Sequence, residues 1–501
     1  MTTSPNILIL FTDMQRADTI QALGNPVIRT PHLDRLANEG TAFTNAFSPS
    51  PVCIPARCSL HYGLYPFHTG CNDNGRMMDD NGASLPALLA RHGYRTQAIG
   101  KCHFTPDRAA LRGYHARLVQ EECTSDPDQD DYIAWLRDHG HDHREAHGAR
   151  SEMYYVPQIS TLPVAAHPSQ WIGDRSCDFI REAAAGQQPW HLFASFIHPH
   201  PPFSPPKPWH RLYRTPAMPL PRLPEHRAEL MTWVNHHQNR YKYRDRGLDL
   251  NFIRTATAYY YACISFVDFQ IGRILSTLED CDQLDNTLIL FSSDHGELLG
   301  DYGCFGKRSM HDPSARVPLL ARLPGRFPAG GRCATATSLV DLLPTCLAAV
   351  GSGTDDLPHD GLDLAPLAAG ADPDRTVYSQ FAVNGRALLM AVNRAWKYVY
   401  SAGDDQEFLF DRVSDPDELV NRTADPAAAA AQTALRTDLW QQLIAAGHDE
   451  YLEGDGAQRR WRRWPRIDFS QRYADPDAGL LVQDYADYRL HLPGYDEAPM
   501  T

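Results

Sequence analysis

Two stretches of the chain run from apolar residues into an acid: "NILILFTD" at 6–13 and "DNTLILFSSDH" at 285–295. Short runs of Ile, Leu and Phe bounded by polar turns read as strands buried on both faces. Such strands belong to parallel sheets covered by helices, where ligands gather at the carboxyl edge. The pattern therefore predicts an α/β sheet with Asp13 and the pair Asp294-His295 on one edge.

The segments between these runs follow the same alternation. "TPHLDRLANEG" predicts a helix with Thr30 as its cap, Pro31 in the first turn, Leu33, Leu36 and Ala37 on one face, and Gly40 as its stop. "SLPALLARHGY" repeats that design, and "RTQAIGK" after it reads as the next strand. "WHLFASFIHPHPPF" (190–203) is another buried strand, running into a turn rich in His and Pro. Residues 204–226 are proline-dense and read as an irregular surface crossing. A helix apolar around most of its girth is expected over 255–278 and just beyond, with Tyr259–Tyr261 packed rather than caging a ligand.

Beyond residue 370 the texture changes. Val377–Phe381, Ala387–Val392, Trp396–Tyr400 and Glu407–Phe410 read as short strands, followed by a helix near 428–446. The expected class is α/β: a large mixed, mainly parallel sheet flanked by helices, plus a smaller C-terminal α+β domain with an antiparallel sheet. The expected division is 1–370, 371–450 and a packing or oligomerisation tail over 451–501 that holds "RRWRRWPR". At 501 residues the chain is long for a single core, which fits this division.

Charge excludes one class of function. Lys+Arg number 47 against 61 Asp+Glu, a formal net charge of -14, whereas general nucleic-acid binding needs a basic surface. A local pocket on an acidic protein is still free to hold an anion. The apolar run Ile7–Phe11 is too short to span a membrane and no basic segment precedes it, so the expected compartment is the cytoplasm, with no membrane partner. Eleven scattered cysteines then read as reduced and mostly buried. The His-rich "HGHDHREAHG" (139–148) reads as a solvated insertion rather than a metal tract.

Carboxylates crowded on one sheet edge repel and call for a cation. An Asp at a strand end also commonly caps the next helix, so one alone would carry little. Here two occur, one followed by His295, and basic groups recur in the loops after predicted strands: Arg57, Lys101, His103, His198, His200 and Lys307. A divalent metal at Asp13, Asp294 and His295, with several cationic donors around it, is a site for a tetrahedral oxyanion and for sulfuryl or phosphoryl transfer.

The chain then resembles the sulfatase family of the alkaline-phosphatase superfamily. The resemblance rests on Cys53-Ile54-Pro55-Ala56-Arg57, a Cys-x-Pro-x-Arg signature, and on "SLHYGLYPFHTG", "GYRTQAIGKCHF", "SFIHPHPPF", "SSDHGELLGDYG", "SARVPLL" and "EFLFDRVSDPDELVNRTADP", in order over about the first 430 residues. It implies an alkaline-phosphatase-like fold. It also implies that a separate maturation enzyme oxidises Cys53 to formylglycine, whose hydrate attacks sulfur with one hydroxyl and ejects sulfate with the other. Cys53, Asp13, Asp294 and His295 would surround one metal: Ca²⁺ first, with Mg²⁺ or Mn²⁺ as alternatives. Arg57 would steady the diol, and Lys101 and Lys307 would hold sulfate oxygens. Lys307 and His198 would serve the leaving oxygen, with His200 as the other candidate in the HPH turn. His103 would assist breakdown of the covalent intermediate, and Cys58 would be packing.

The chain departs from the family pattern at three places. Met14 replaces a second acid, which makes the pocket more positive and leaves Gln15 or water to complete the metal shell. Ile54 replaces a small residue after the cysteine. His295 follows Asp294 as in the choline-sulfatase-like and phosphonate-monoester-hydrolase-like branches. The expected reaction is hydrolysis of a small sulfate monoester, the alternative being cleavage of a phosphonate monoester or phosphodiester by the same machinery. A homo-oligomer built through the C-terminal tail is a further expectation.

Overall fold

In the computed structural model, the residues described are 4–122, 128–150, 154–241, 243, 247–354 and 357–467. Eight strands form the central sheet: β1 (Asn6–Asp13), β2 (Thr41–Phe43), β3 (Arg95–Gly100), β4 (Ala116–Val119), β5 (Trp190–Pro199), β6 (Thr287–Ser293), β7 (Leu319–Arg322) and β8 (Gly331–Cys333). Their order is β4-β3-β5-β1-β6-β7-β2-β8. All neighbours are parallel except β7, which runs against both β6 and β2. Every residue of β1, β5 and β6 is buried, as central strands covered on both faces must be.

Helices α1 (Pro31–Glu39), α2 (Cys53–Tyr62), α3 (Pro168–Ala184) and α4 (Leu250–Asp280) flank this sheet. Leu33, Leu36 and Ala37 of α1 are buried as the spacing predicts. Thr30 is not the side-chain cap, however: it donates to Asp34 Oδ1 and accepts from the Gln21 amide. The first-turn amides of α1 go to Asp268 of α4, which accepts from His32 N (3.3 Å) and Leu33 N (2.8 Å). A carboxylate from a distant helix thus does the work expected of a local hydroxyl. Helix α4 is longer than the apolar pattern suggested because Asp249 caps it upstream of the aromatic triplet. Tyr260 and Tyr261 are buried, and Tyr259 is partly so. Among the described residues, no helix is long and apolar enough to cross a membrane.

The C-terminal antiparallel sheet contains β9 (Val377–Phe381), β10 (Leu388–Val392), β11 (Trp396–Ser401) and β12 (Gln406–Asp411) in sequential order. Its two faces divide the side chains by the period of two. Leu388, Met390 and Val392 join Trp233, Tyr302 and Ala315 of the larger unit. Leu389 and Ala391 face Leu435, Leu439 and Leu443 of helix α5 (Ala429–Ala445). Within the basic tail segment, Trp461 stacks on Tyr400 with ring centroids 4.2 Å apart, so the chain up to Ile467 packs on this small sheet. The rest of the expected tail, 468–501, lies outside the described residues.

Candidate active site

Sheet register assembles the site. Thr12 of β1 lies opposite Ser293 of β6, so the next residues, Asp13 and Asp294, leave the carboxyl edge side by side. On the other flank Gly100 of β3 lies opposite Ser195 of β5, which puts Lys101 at the same level. Gly100 has φ +96, and a Cβ there would stand 2.1 Å from Ser195 O, so only glycine lets β3 approach closely enough to deliver Lys101. Cys53 is the first residue of α2, and Arg57 follows it by one turn on the same face.

The four proposed metal residues do converge. One ligand atom each from Asp13, Cys53, Asp294 and His295 lies within 4.8 Å of the others, and all four residues are buried. Asp13 Oδ1 is 3.7 Å from Cys53 Sγ and 3.8 Å from His295 Nε2. Asp294 Oδ1 is 3.5 Å from the same His295 Nε2. His295 Nδ1 is 3.0 Å from Gly296 O, a contact that fixes the ring with Nε2 inward. The outer oxygens go to Arg57, which donates through Nε to Asp294 Oδ2 (3.0 Å) and through Nη2 to Asp13 Oδ2 (3.3 Å). Two inward carboxylate oxygens and an imidazole nitrogen suit a hard or borderline divalent cation.

Charge on the group agrees with that fit. Burial pushes Asp13 upward, but the cations Lys101, Arg57 and Lys307 hold it well below the usual carboxylate range. Burial and the neighbouring Asp13 carry Asp294 up to about 6, the penalty expected of two carboxylates sharing a dry site. Met14 is buried with φ +68. Its amide donates to Asp294 Oδ1 (3.0 Å) and its carbonyl accepts from Tyr260 OH (2.8 Å). The Met14 backbone therefore supports the centre. Gln15 donates its amide nitrogen to Thr19 Oγ1, and its Oε1 is buried without a hydrogen-bond partner among the described residues.

Cys53 Sγ sits among cations and marks where the attacking oxygen of an oxidised residue would stand. Lys307 Nζ donates to it at 2.8 Å and His295 Nε2 is 3.3 Å away. Burial and Asp13 push the thiol upward, but Lys101, Lys307 and His295 outweigh them and bring it to about 7. An environment that favours a thiolate there also favours an oxyanion at that point. Gly306 (φ +92) precedes Lys307, and its amide donates to Glu297 Oε1 (2.7 Å), while Arg308 N holds Pro51 O (2.7 Å) just before Cys53.

Three other expected site residues have surroundings of their own. Arg57 is fully buried with all its nitrogens engaged, since Nη1 donates to Lys101 O (2.5 Å) and Ser195 Oγ (2.9 Å). It braces the two carboxylates beside Cys53, the residue whose diol it was expected to steady. His198 turns away from the site, with its ring 3.3 Å from both Ser169 Oγ and Ser204 Oγ and stacked on His167. His200 is the histidine at the site, with Nε2 3.3 Å from Lys307 Nζ and 3.5 Å from Tyr154 OH. The chain turns after β5, where His200 N bonds Ile197 O, and so the two histidines of the HPH turn part. His103, at φ +56, binds Glu121 through its backbone, and its Nδ1 is buried without a hydrogen-bond partner among the described residues. No described hydrogen bond links its ring to Cys53.

Lys101 lies at the site, with Nζ 2.6 Å from Asp13 Oδ2. It carries a second carboxylate that the sequence did not announce: Glu122 Oε2 accepts from Lys101 Nζ at 2.9 Å and lies 3.2 Å from His200 Nδ1. Glu122 stands in a polar, acidic run that carries no readable motif or periodicity. Tyr154, in "ARSEMYYVPQ", likewise stands in a segment with no readable motif. Glu297 was in view inside "SSDHGE" but unassigned; it accepts from Tyr155 OH (2.9 Å) and so ties the Lys307 loop to that stretch. Among the described residues, the His-rich segment 139–148 contributes no residue to a metal-binding group.

Comparison with known proteins places the chain in a family. The profile of the family described as "Sulfatase" matches residues 5–352, and that described as "N-sulphoglucosamine sulphohydrolase, C-terminal" matches 300–445. A choline-sulfatase of Rhizobium meliloti (strain 1021) is 30% identical over 93% of this chain and 91% of its own length. An arylsulfatase of Clostridium perfringens (strain 13 / Type A) is 29% identical over 83% of this chain and 90% of its own. The crystal structure of a phosphonate monoester hydrolase of Agrobacterium radiobacter superposes with a TM-score of 0.76 at 27% identity, covering 92% of this chain and all of that one.

Proposed function

This chain belongs to the sulfatase family of the alkaline-phosphatase superfamily, and from that premise we propose that it hydrolyses a small sulfate monoester to alcohol and sulfate, with Cys53 in its formylglycine form as nucleophile. The observation that carries the proposal is the position of Cys53 Sγ, between Lys307 Nζ and the inward atoms of Asp13 and His295. The hydrated formylglycine would supply two hydroxyls on one carbon, one to attack sulfur and one to expel sulfate. Asp13, Asp294, His295 and residue 53 would hold one divalent cation, which would supply charge stabilisation.

The protein's own groups divide the remaining work. Lys101 and Lys307 bind sulfate oxygens, and Lys307 donates the proton that the leaving alcohol needs. His200 Nδ1 faces two acceptors, Pro201 O (2.7 Å) and Glu122 Oε2, so the neutral ring carries its hydrogen there. Burial, only partly opposed by Glu122, keeps the imidazole neutral by holding it well below its ordinary value. Its Nε2 is then an acceptor that orients Lys307. Arg57 fixes both carboxylates. The proposal carries with it a maturation enzyme acting on Cys53, calcium ahead of magnesium or manganese, and cytoplasmic residence.

A second reading has a specific basis: His295 follows Asp294, and a phosphonate monoester hydrolase superposes closely. Matched nitrophenyl sulfate, phosphonate and phosphate esters decide between them through kcat/KM. Sulfate leads in our reading. A sulfate value a hundredfold or more below the phosphonate value, about 2.7 kcal/mol in transition-state stabilisation, transfers the assignment to phosphonate cleavage.

A further inference from the structure

We propose that Glu122 sets the charge selectivity of this site, favouring esters that carry one negative charge and disfavouring dianionic phosphate monoesters and the dianionic product, inorganic sulfate. The inference rests on the reading above, in which Lys101, Lys307 and His200 face the substrate. One carboxylate oxygen of Glu122 reaches two of those groups, Lys101 Nζ at 2.9 Å and His200 Nδ1 at 3.2 Å. The side chain is only 9% exposed, so little water screens it. Its backbone is fixed where Arg150 Nη2 donates to Glu122 O (2.8 Å).

The charge count gives the consequence. Around the centre stand Arg57, Lys101 and Lys307 against Asp13 and Asp294, with His200 neutral. The family carboxylate replaced by Met14 would have made a third acid, and its loss alone predicts easier entry of dianions. Glu122 restores that third negative charge, but at Lys101 and His200 rather than among the four residues that would hold a metal. A carboxylate there acts once on a monoanion and twice on a dianion, so it separates the two by charge even though it weakens both. Sulfate esters, phosphonate monoesters and phosphodiesters are monoanions. A phosphate monoester is largely dianionic above its second ionisation, at about pH 6. Hydrolysis turns a monoanionic sulfate ester into dianionic sulfate, so the same carboxylate speeds product departure.

The test compares wild type, Glu122→Gln and Glu122→Asp on 4-nitrophenyl sulfate and 4-nitrophenyl phosphate at about pH 8, with inorganic sulfate as inhibitor. Glu122→Gln is expected to raise the phosphate-to-sulfate ratio of kcat/KM about tenfold or more, and to lower the inhibition constant of inorganic sulfate relative to KM. Glu122→Asp, which keeps the charge, is expected to stay near the wild-type ratio. Each ratio is taken on one preparation, so the fraction of folded enzyme cancels. A Glu122→Gln ratio that is unchanged or shifted towards sulfate overturns the proposal, as does a Glu122→Asp ratio that moves like that of Glu122→Gln. If Glu122→Gln yields no folded enzyme, wild type carries the test: between about pH 5.5 and 8, inorganic phosphate gains a charge and sulfate does not. The inhibition constant of phosphate relative to that of sulfate should rise across that range, and a flat or falling ratio overturns the proposal. A wild-type preference for phosphonate over sulfate would overturn the proposed reaction and leave this inference standing, since both are monoanions.

Discussion

Lys307 Nζ lies 2.8 Å from Cys53 Sγ, although the two residues are 254 apart in the chain. The contact joins the start of a buried helix to the loop that follows β6, and it places a cation where the attacking oxygen of an oxidised residue 53 would stand. Lys307→Met is therefore expected to cut kcat by about 10²–10³, the usual scale for removing a transition-state donor or proton source. The loss should be steeper for alkyl than for nitrophenyl sulfates, because a poor leaving group needs the proton more. Equal losses for both classes would remove Lys307 from leaving-group chemistry.

The paired carboxylates predict a metal. Enzyme purified without chelator should carry about one calcium, magnesium or manganese ion per chain. Asp294→Asn should lower that content, because it removes charge from a carboxylate whose inward oxygen faces His295 Nε2. Elemental analysis checks both statements. Full-occupancy zinc with no other ion would contradict them.

The two histidines after β5 should behave differently. His200→Gln removes the ring beside Lys307 and should lower kcat while the fold melts near the wild-type temperature. His198→Gln breaks contacts with Ser169 and Ser204 and should cost about 1–2 kcal/mol of stability with little change in activity per folded enzyme. Thermal melts paired with turnover separate the cases, and the reverse pattern would return the catalytic role to His198.

Asp268 gives a pH prediction away from the metal. Burial raises its carboxyl to about 7, against about 3.9 in an unfolded chain. Between those values the folded state binds the extra proton. The contribution of Asp268 to stability is thus complete below about pH 4 and is lost as pH rises to about 7, at up to roughly 1.4 kcal/mol per pH unit. Asp268→Asn still offers an oxygen to Leu33 N and should melt above wild type at about pH 8, with the gap closing towards pH 4. Parallel melting curves across that range would refute the assignment.

These residues mark what the sequence made legible. Apolar runs ending in Asp13 and Asp294 were readable because burial on both faces writes a continuous apolar code and register then fixes the strand ends. Cys53, Lys101 and Lys307 were readable from the motifs around them. His198 and His200 were not separable, because the turn bonded from His200 N to Ile197 O is not encoded in an alternating HPH string. Glu122 was invisible for a different reason. It lies in a polar run with no periodicity, and only the fold brings it to Lys101. The capping of α1 by Asp268 is likewise a tertiary choice that overrides the local signal at Thr30.

The central claim is that Cys53 is the precursor of the nucleophile, and the mass of the peptide that contains it tests this most directly. In enzyme produced alongside a maturation enzyme, that peptide should be lighter than its sequence by the exchange of sulfur and two hydrogens for one oxygen, and it should trap a hydroxylamine or hydrazine probe. Turnover across preparations should scale with the converted fraction, and Cys53→Ala should be folded and inactive. A fully active preparation in which residue 53 is unmodified cysteine, or Cys53→Ala retaining most of the activity, would contradict the account.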